Sequence, residues 1–296
     1  MPIVVREYHV PRLLFEPIPS PLYALGNLAQ NLKENGAYLV NETYASVLYN
    51  LSVEEFHFIL KVMNDIASHL DLANHHADAT EEDIKRLCTN VLTYGFNAAF
   101  VNPCYIALAK KSLSGKAKIG TVLSFPLGQD TMEMKIFAVR EAIRLGADEL
   151  DIAPNNGLLL AEGGLEQYRD QLRAIVESAR AAKSDVVVKF IIETGLFLLN
   201  EQELNSDERS RGEFVIKRAA EAILASGADF VKICSGMGRR GASLNDVRLV
   251  KEAIGNAPIK IKVAGGIDTL EETRSFLSAG ANRIGTSKAV EILNTV

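Results

Sequence analysis

Cysteine is scarce in this chain. Its 296 residues include three, Cys88, Cys104 and Cys234, an odd number with no CxxC pair, which excludes a disulfide framework and a zinc knuckle. Unpaired thiols suit a reducing compartment, and a cytoplasmic location is expected. Long apolar runs are missing too. None approaches the ~20 residues that span a bilayer, and Met1-Pro2-Ile3-Val4-Val5 is interrupted by Arg6, Glu7 and His9 before it could form the apolar core of an export signal. No membrane partner is expected. Positive charge is not in excess: Lys and Arg number 32 against 37 for Asp and Glu, a net charge of −5. That leaves no broad cationic field for nucleic acid or anionic lipid, so an anionic ligand would need a local positive site. Finally, no GxGxxG or Walker A sequence occurs, which removes the signatures of dinucleotide and nucleoside triphosphate binding.

What is present is an ordinary globular composition, 48% hydrophobic and 23% charged. Pro2, Pro11, Pro17, Pro19 and Pro21 make the opening extended and irregular, since each removes a backbone donor and biases its predecessor away from helix. From Leu22 to about Leu70 the spacing is helical. Leu25, Leu28, Ala29 and Leu32 share one face, as do Phe56, Ile59, Leu60 and Met63. Residues 1–70 therefore read as an N-terminal extended and helical extension without chemistry of its own. Beyond it, short β-branched runs alternate with amphipathic helices. The runs are 98–101, 119–123, 149–152, 186–192, 230–233, 259–263 and 283–285, with a weak first strand at 68–72. Thr80-x-x-Asp83, Ser243-x-x-Asp246 and Thr269-x-x-Glu272 mark helix starts. Strands alternating with helices imply parallel pairing through right-handed crossovers. Residues 71–296 are thus expected to form an α/β fold, a (β/α)8 TIM barrel, rather than an open doubly wound sheet.

Active sites of such barrels lie at the carboxyl ends of the strands. Polar residues inside apolar strands stand out there: Asp151, Lys189, Lys232 and Lys262. Singly, a strand lysine is more often at an edge or snorkelling to solvent. Together, on successive βα units, three lysines and an acid facing one lumen form an arrangement without structural advantage. An amine buried beside a second ammonium is doubly disfavoured as a cation, by desolvation and by repulsion, which suits it to Schiff-base chemistry. Glycines supply a second half. Gly265 and Gly266 follow strand seven, Thr286 and Ser287 follow strand eight, and Gly236 follows strand six, where barrels bind phosphate through backbone N–H groups. Ser235 and Asn155 lie at neighbouring strand ends and, with Lys189, are secondary candidates. His75 and His76 stand at the expected mouth, but adjacent histidines diverge and no carboxylate cluster completes a ligand set, so no metal is expected. Cys104 and Cys234 read as small packing residues.

These segments, in order, resemble the deoxyribose-phosphate aldolase family. The resemblance is carried by Asp229-Phe230-Val231-Lys232 with Ser235-Gly236, Lys262-Val263-Ala264-Gly265-Gly266-Ile267, Arg283-Ile284-Gly285-Thr286-Ser287, Phe125-Pro126-Leu127-Gly128 and Gly146-Ala147-Asp148-Glu149-Leu150-Asp151. It implies a class I aldolase that cleaves 2-deoxy-D-ribose 5-phosphate reversibly to acetaldehyde and D-glyceraldehyde 3-phosphate. Lys232 would be the Schiff-base lysine, Lys262 the second lysine lowering its pKa, and Asp151 the carboxylate of the proton relay. Gly236, Gly265, Gly266 and Ser287 would hold the substrate phosphate. No metal or organic cofactor would be needed, because the iminium is the electron sink. The implied partner is a small phosphorylated aldose, and a homo-oligomer, a dimer first, is expected. Four positions near the donor depart from the family pattern: Ile233, in place of a threonine, and Met237 after the Schiff-base lysine, Ala73 in place of a threonine, and His75 in place of a leucine; Ala153-Pro154-Asn155-Asn156 is also unusual after the acidic residue. They leave open a class I aldolase with another phosphosugar or donor carbonyl, and a non-catalytic barrel that binds a phosphosugar.

Overall fold

A computed structural model describes residues 53–199 and 204–295. Helix α1 (Val53–Ser68) leads into strand β1 (Leu70–Asn74). There follow α2 (Glu81–Tyr94), β2 (Ala98–Val101), α3 (Ile106–Leu113), β3 (Lys118–Leu123), α4 (Met132–Leu145), β4 (Glu149–Ile152), α5 (Gly164–Ala182) and β5 (Val187–Ile192). The chain continues through α6 (Ser206–Ala225), β6 (Phe230–Ile233), α7 (Leu244–Ile254), β7 (Lys260–Ala264), α8 (Leu270–Ala279), β8 (Arg283–Thr286) and α9 (Ala289–Leu293). All eight strands pair in parallel with their sequence neighbours, and β1 closes on β8. The expected TIM barrel is present.

Every expected strand is found, with the largest shift at the first. It runs Leu70–Asn74 rather than 68–72, because α1 continues through Ser68, whose hydroxyl bonds the Asp65 carbonyl at 2.7 Å. The part of the expected extension that is described is α1. Met63 from its anticipated apolar face is buried, along with Ile66 and Ala67. The face through Leu25 and Leu32 lies outside the described residues. The three expected capping boxes are formed at Thr80, Ser243 and Thr269, and Asn205 with Glu208 forms a fourth.

Strand alternation places the functional groups. Leu150, Ile152, Val188, Phe190, Val231, Ile233, Ile261 and Val263 face the helices and form the main core. Their neighbours in each strand, Glu149, Asp151, Lys189, Phe230, Lys232 and Lys262, face the lumen. Burying apolar surface on one side of each strand thus forces polar groups onto the other. Lys232 and Lys262 are direct Cα partners across β6 and β7, as Asp151 and Lys189 are across β4 and β5.

Candidate active site

Asp151 is the hub of the lumen. Its Oδ2 lies 2.9 Å from Lys232 Nζ and 2.8 Å from Lys262 Nζ, while its Oδ1 lies 3.0 Å from Lys189 Nζ. Lys189 also meets Glu149 Oε2 at 2.6 Å. Lys262 is held from its other side by Asp71 Oδ2 at 2.7 Å, and Arg283 Nη1 meets Asp71 Oδ1 at 2.9 Å. The Phe100 ring seats two of the ammoniums, with Lys262 Nζ 3.4 Å and Lys189 Nζ 4.7 Å from its centroid. That ring fits only because Gly120 faces it: a Cβ there would fall 2.2 Å from Phe100 Cζ.

Three buried carboxylates (Asp71, Glu149, Asp151) meet four cationic side chains within the lumen (Lys189, Lys232, Lys262, Arg283), and the exposed Lys118 reaches Glu149 from outside at 3.6 Å. Lys189 shares Asp151 but also has Glu149, Lys262 also has Asp71, and Arg283 has Asp71, whereas Lys232 meets Asp151 alone among the described residues and is the least compensated cation. Burial lowers its pKa, and the charges of Lys262 and Lys189 lower it further; Asp151 opposes them without reversing the shift. Burial also acts on Lys189, but Asp151, Glu149 and Asp71 outweigh it and raise that pKa. Desolvation works against the Asp151 carboxylate, yet the nearby nitrogens of Lys189, Lys232 and Lys262 hold it well below the ordinary carboxylate range. The lumen therefore contains a permanent anion, a fixed ammonium and one amine biased toward its neutral, nucleophilic form.

A cavity of about 160 Å³ opens above this network. It is smaller than the ~300–1,000 Å³ of drug-sized pockets and suits a short metabolite. Lys232 and Lys262 line its inner part with Ala73, His75 and Phe125; Ser235, Gly236, Gly265, Gly266, Thr286 and Ser287 line its rim. Gly236 and Gly265 have φ of +85° and +88°, and a Cβ on Gly265 would lie 2.9 Å from the Gly236 Cα. Two loops touch backbone to backbone here, a contact that excludes any side chain.

The sequence matches the DeoC/LacD family aldolase model over residues 66–287. A deoxyribose-phosphate aldolase of Caldicellulosiruptor saccharolyticus is 38% identical over 231 residues, 78% of this chain and 97% of that protein. One of Thermococcus gammatolerans is 39% identical, over 77% of this chain and 95% of that protein. Among solved structures, the tetrameric deoxyribose phosphate aldolase of Aeropyrum pernix superposes with a TM-score of 0.67 at 26% identity, covering 83% of this chain and 98% of that one. This chain belongs to the DeoC/LacD aldolase family. As an aldolase it is a carbon–carbon lyase.

Within the aldolase barrel, most of the anticipated residues converge. Lys232, Lys262, Gly236, Gly265, Gly266, Ser235, Thr286 and Ser287 share one cavity, with Asp151 directly beneath. Lys189 lies deeper and does not reach the cavity. Asn155 does not reach it either: its Oδ1 accepts from the Gly157 N–H at 3.2 Å and caps a short turn, while its own N–H donates to Gln171 Oε1 at 2.8 Å. Of the four departures, Ala73, His75 and Met237 line the cavity. Ile233 does not; as the residue after Lys232 it faces the helices and is buried in the core, so its lost hydroxyl cannot affect a bound sugar. Cys234 packs as anticipated, its thiol 3.1 Å from Thr194 Oγ1 and pushed up by burial to about 12. Cys104 is exposed instead, because it sits in a turn before α3 rather than in strand β2.

Asp71, Glu149, Arg283 and Phe100 belong to the network although sequence reasoning did not single them out. Glu149 carried a usable signal, since it stands two residues before Asp151 and must share its face of the strand. Arg283 similarly precedes Gly285 in β8. Asp71 lies inside the expected first strand and stood out only as part of Asp71-Leu72-Ala73, without a role in the lumen. Phe100 gave no signal, because an aromatic residue in a strand reads as core.

Proposed function

We propose that this aldolase cleaves 2-deoxy-D-ribose 5-phosphate reversibly to acetaldehyde and D-glyceraldehyde 3-phosphate through a Schiff base on Lys232. One observation carries the reading: Lys232 and Lys262 meet on the same oxygen of Asp151 at the floor of the cavity. The neutral amine attacks the substrate aldehyde, and loss of water gives an iminium. Asp151 is placed to take the proton of the hydroxyl whose carbon–carbon bond breaks, directly or through a water, while the iminium accepts the bonding electrons. Lys262, whose Nζ lies 2.8 Å from the same carboxylate oxygen, is placed to return a proton to the enamine. Hydrolysis then frees acetaldehyde and Lys232. The backbone groups of Gly236, Gly265 and Gly266, with the Thr286 and Ser287 region, would cradle the phosphate and furnish the local positive potential that the net charge lacks. No step calls for a metal or organic cofactor.

The proposed setting is the cytoplasm, free of membrane. Among the described residues no helix is long and apolar enough to cross a bilayer. Exposed Leu127, Met134 and Phe137 support association of identical chains, a dimer first. The test is to incubate the protein with 2-deoxy-D-ribose 5-phosphate and borohydride, then map the modified peptide while measuring turnover. Turnover together with a reduced adduct on Lys232 is the expected result. Absence of turnover with this sugar beside good turnover of another phosphosugar would assign a different substrate, and an unmodified Lys232 would remove the mechanism.

A further inference from the structure

One side chain on the inner wall of the cavity has no task in the reaction above. Asp71 and Ala73 alternate along β1, and His75 continues the alternation just beyond it. Asp71 lies against Lys262, while Ala73 and His75 line the cavity. The His75 ring packs tilted on Phe125, with centroids 5.6 Å apart, and Lys232 Nζ lies 5.7 Å from the centroid of that same Phe125 ring. The imidazole and the proposed nucleophile thus share an aromatic neighbour. Among the described residues His75 Nδ1 is enclosed by protein without a hydrogen-bond partner, while the Asn102 side chain lies within hydrogen-bonding reach of the ring. Burial, followed by the charge of Lys232, holds the ring down to about 3, so at neutral pH it carries one N–H and one lone pair. An unsatisfied buried polar atom is destabilising. An apolar side chain would complete this wall without that penalty, so the imidazole calls for a ligand.

The chemistry at Lys232 says what that ligand is. Once a carbonyl carbon is joined to Nζ, the adjacent carbon becomes the reactive enamine carbon. A carbon bearing only hydrogens suits an apolar wall. A carbon bearing a hydroxyl needs a donor or acceptor beside it, and a site that supplies one discriminates strongly. Ala73, with a single methyl group, leaves room for the extra oxygen. We propose that His75 is a specificity-determining residue that hydrogen-bonds a hydroxyl on the carbon next to the imine, so that the site takes 2-hydroxylated carbonyl donors, short hydroxyaldehydes or hydroxyketones, in addition to acetaldehyde. This inference rests on the Schiff-base reading above. In the condensation direction Lys232 displaces the donor's carbonyl oxygen as water. The C2 proton passes to the Asp151–Lys262 pair, and the enamine carbon forms the new bond to the acceptor aldehyde, whose oxygen takes up a proton. Water then hydrolyses the iminium and restores the amine.

The test supplies the full chain with D-glyceraldehyde 3-phosphate as acceptor and either glycolaldehyde or acetaldehyde as donor. The glycolaldehyde-to-acetaldehyde ratio of kcat/KM should be about tenfold or more higher in the unsubstituted protein than in His75→Leu. His75→Asn, neutral and able to hydrogen-bond, should keep part of that difference. Equal ratios in the unsubstituted protein and His75→Leu would overturn the proposal. If His75→Leu does not fold, borohydride trapping of the unsubstituted protein with both donors at equal concentration decides. A hydroxyethyl adduct in excess at Lys232 supports the proposal, and an ethyl adduct alone overturns it while leaving the Schiff base intact. No adduct of either kind would remove the Schiff-base reading, and this proposal with it.

Discussion

Lys232, which is buried, and His75, which is half-buried with its Nδ1 enclosed, are both nitrogen bases held toward neutrality, and each has consequences in solution. For Lys232, removing the neighbouring ammonium removes one of the effects that lower its pKa. Lys262→Met should therefore move the acid-side, ascending limb of the pH–rate profile to higher pH and reduce kcat by about 10²–10⁴-fold at neutral pH, the usual loss when a proton-transfer group is deleted. A variant whose profile keeps its position would show that the two amines do not sense each other. For His75, the folded pKa of about 3 lies below the ordinary value of 6.5. The unfolded chain binds the proton more readily, so the stability that His75 contributes is complete above pH 6.5 and is lost as pH falls toward 3. The slope is at most about 1.4 kcal/mol per pH unit for one proton. Urea unfolding of His75→Leu between pH 6.5 and 4 should show a shallower acid loss than the unsubstituted protein; parallel slopes would contradict the burial argument.

At the scale of the element, two kinds of device are separable by mutation. The β7–α8 loop needs glycine where it meets the loop after β6. Gly265→Ala combines a φ of +88° with a Cβ 2.9 Å from the Gly236 Cα, a strain of about 1–3 kcal/mol at a left-handed position. It should raise KM for the phosphorylated substrate more than it lowers kcat, as steady-state kinetics would reveal. A loss confined to kcat would place this loop at the chemistry rather than at the anion. The Asn205 cap serves only its helix: its Oδ1 accepts from the Asp207 and Glu208 N–H groups, both at 3.0 Å. Asn205→Ala should lower stability by about 0.5–2 kcal/mol in denaturant titration and leave kcat unchanged. The caps at Thr80, Ser243 and Thr269 were readable in advance because they depend on residues three apart, and the same spacing marks Asn205 and Glu208. The start of β1 was not, since Ser68 and His69 carry no breaker and the end of α1 is set by packing onto the barrel.

For the whole molecule, the alternation of strands and helices fixed the fold, and the polar residues interrupting apolar strands marked the lumen. Lys232, Lys262 and Asp151 were legible for one physical reason: a charge in an apolar run is expensive unless it has partners. The partners themselves were harder to read. Asp71 and Arg283 come from β1 and β8, 212 residues apart in sequence, and only barrel closure brings them together. The direction in which Ile233 points and the enclosure of His75 Nδ1 depend likewise on the finished tertiary structure. The central claim is that closure creates a lumen with one cation too many and that Lys232 gives up its proton. A site-specific NMR titration of the Lys232 ammonium in the folded protein tests it most directly. The account predicts a midpoint clearly below the ordinary lysine value of about 10.4, moving upward in Lys262→Met; a midpoint at or above that value in the unsubstituted protein would contradict it.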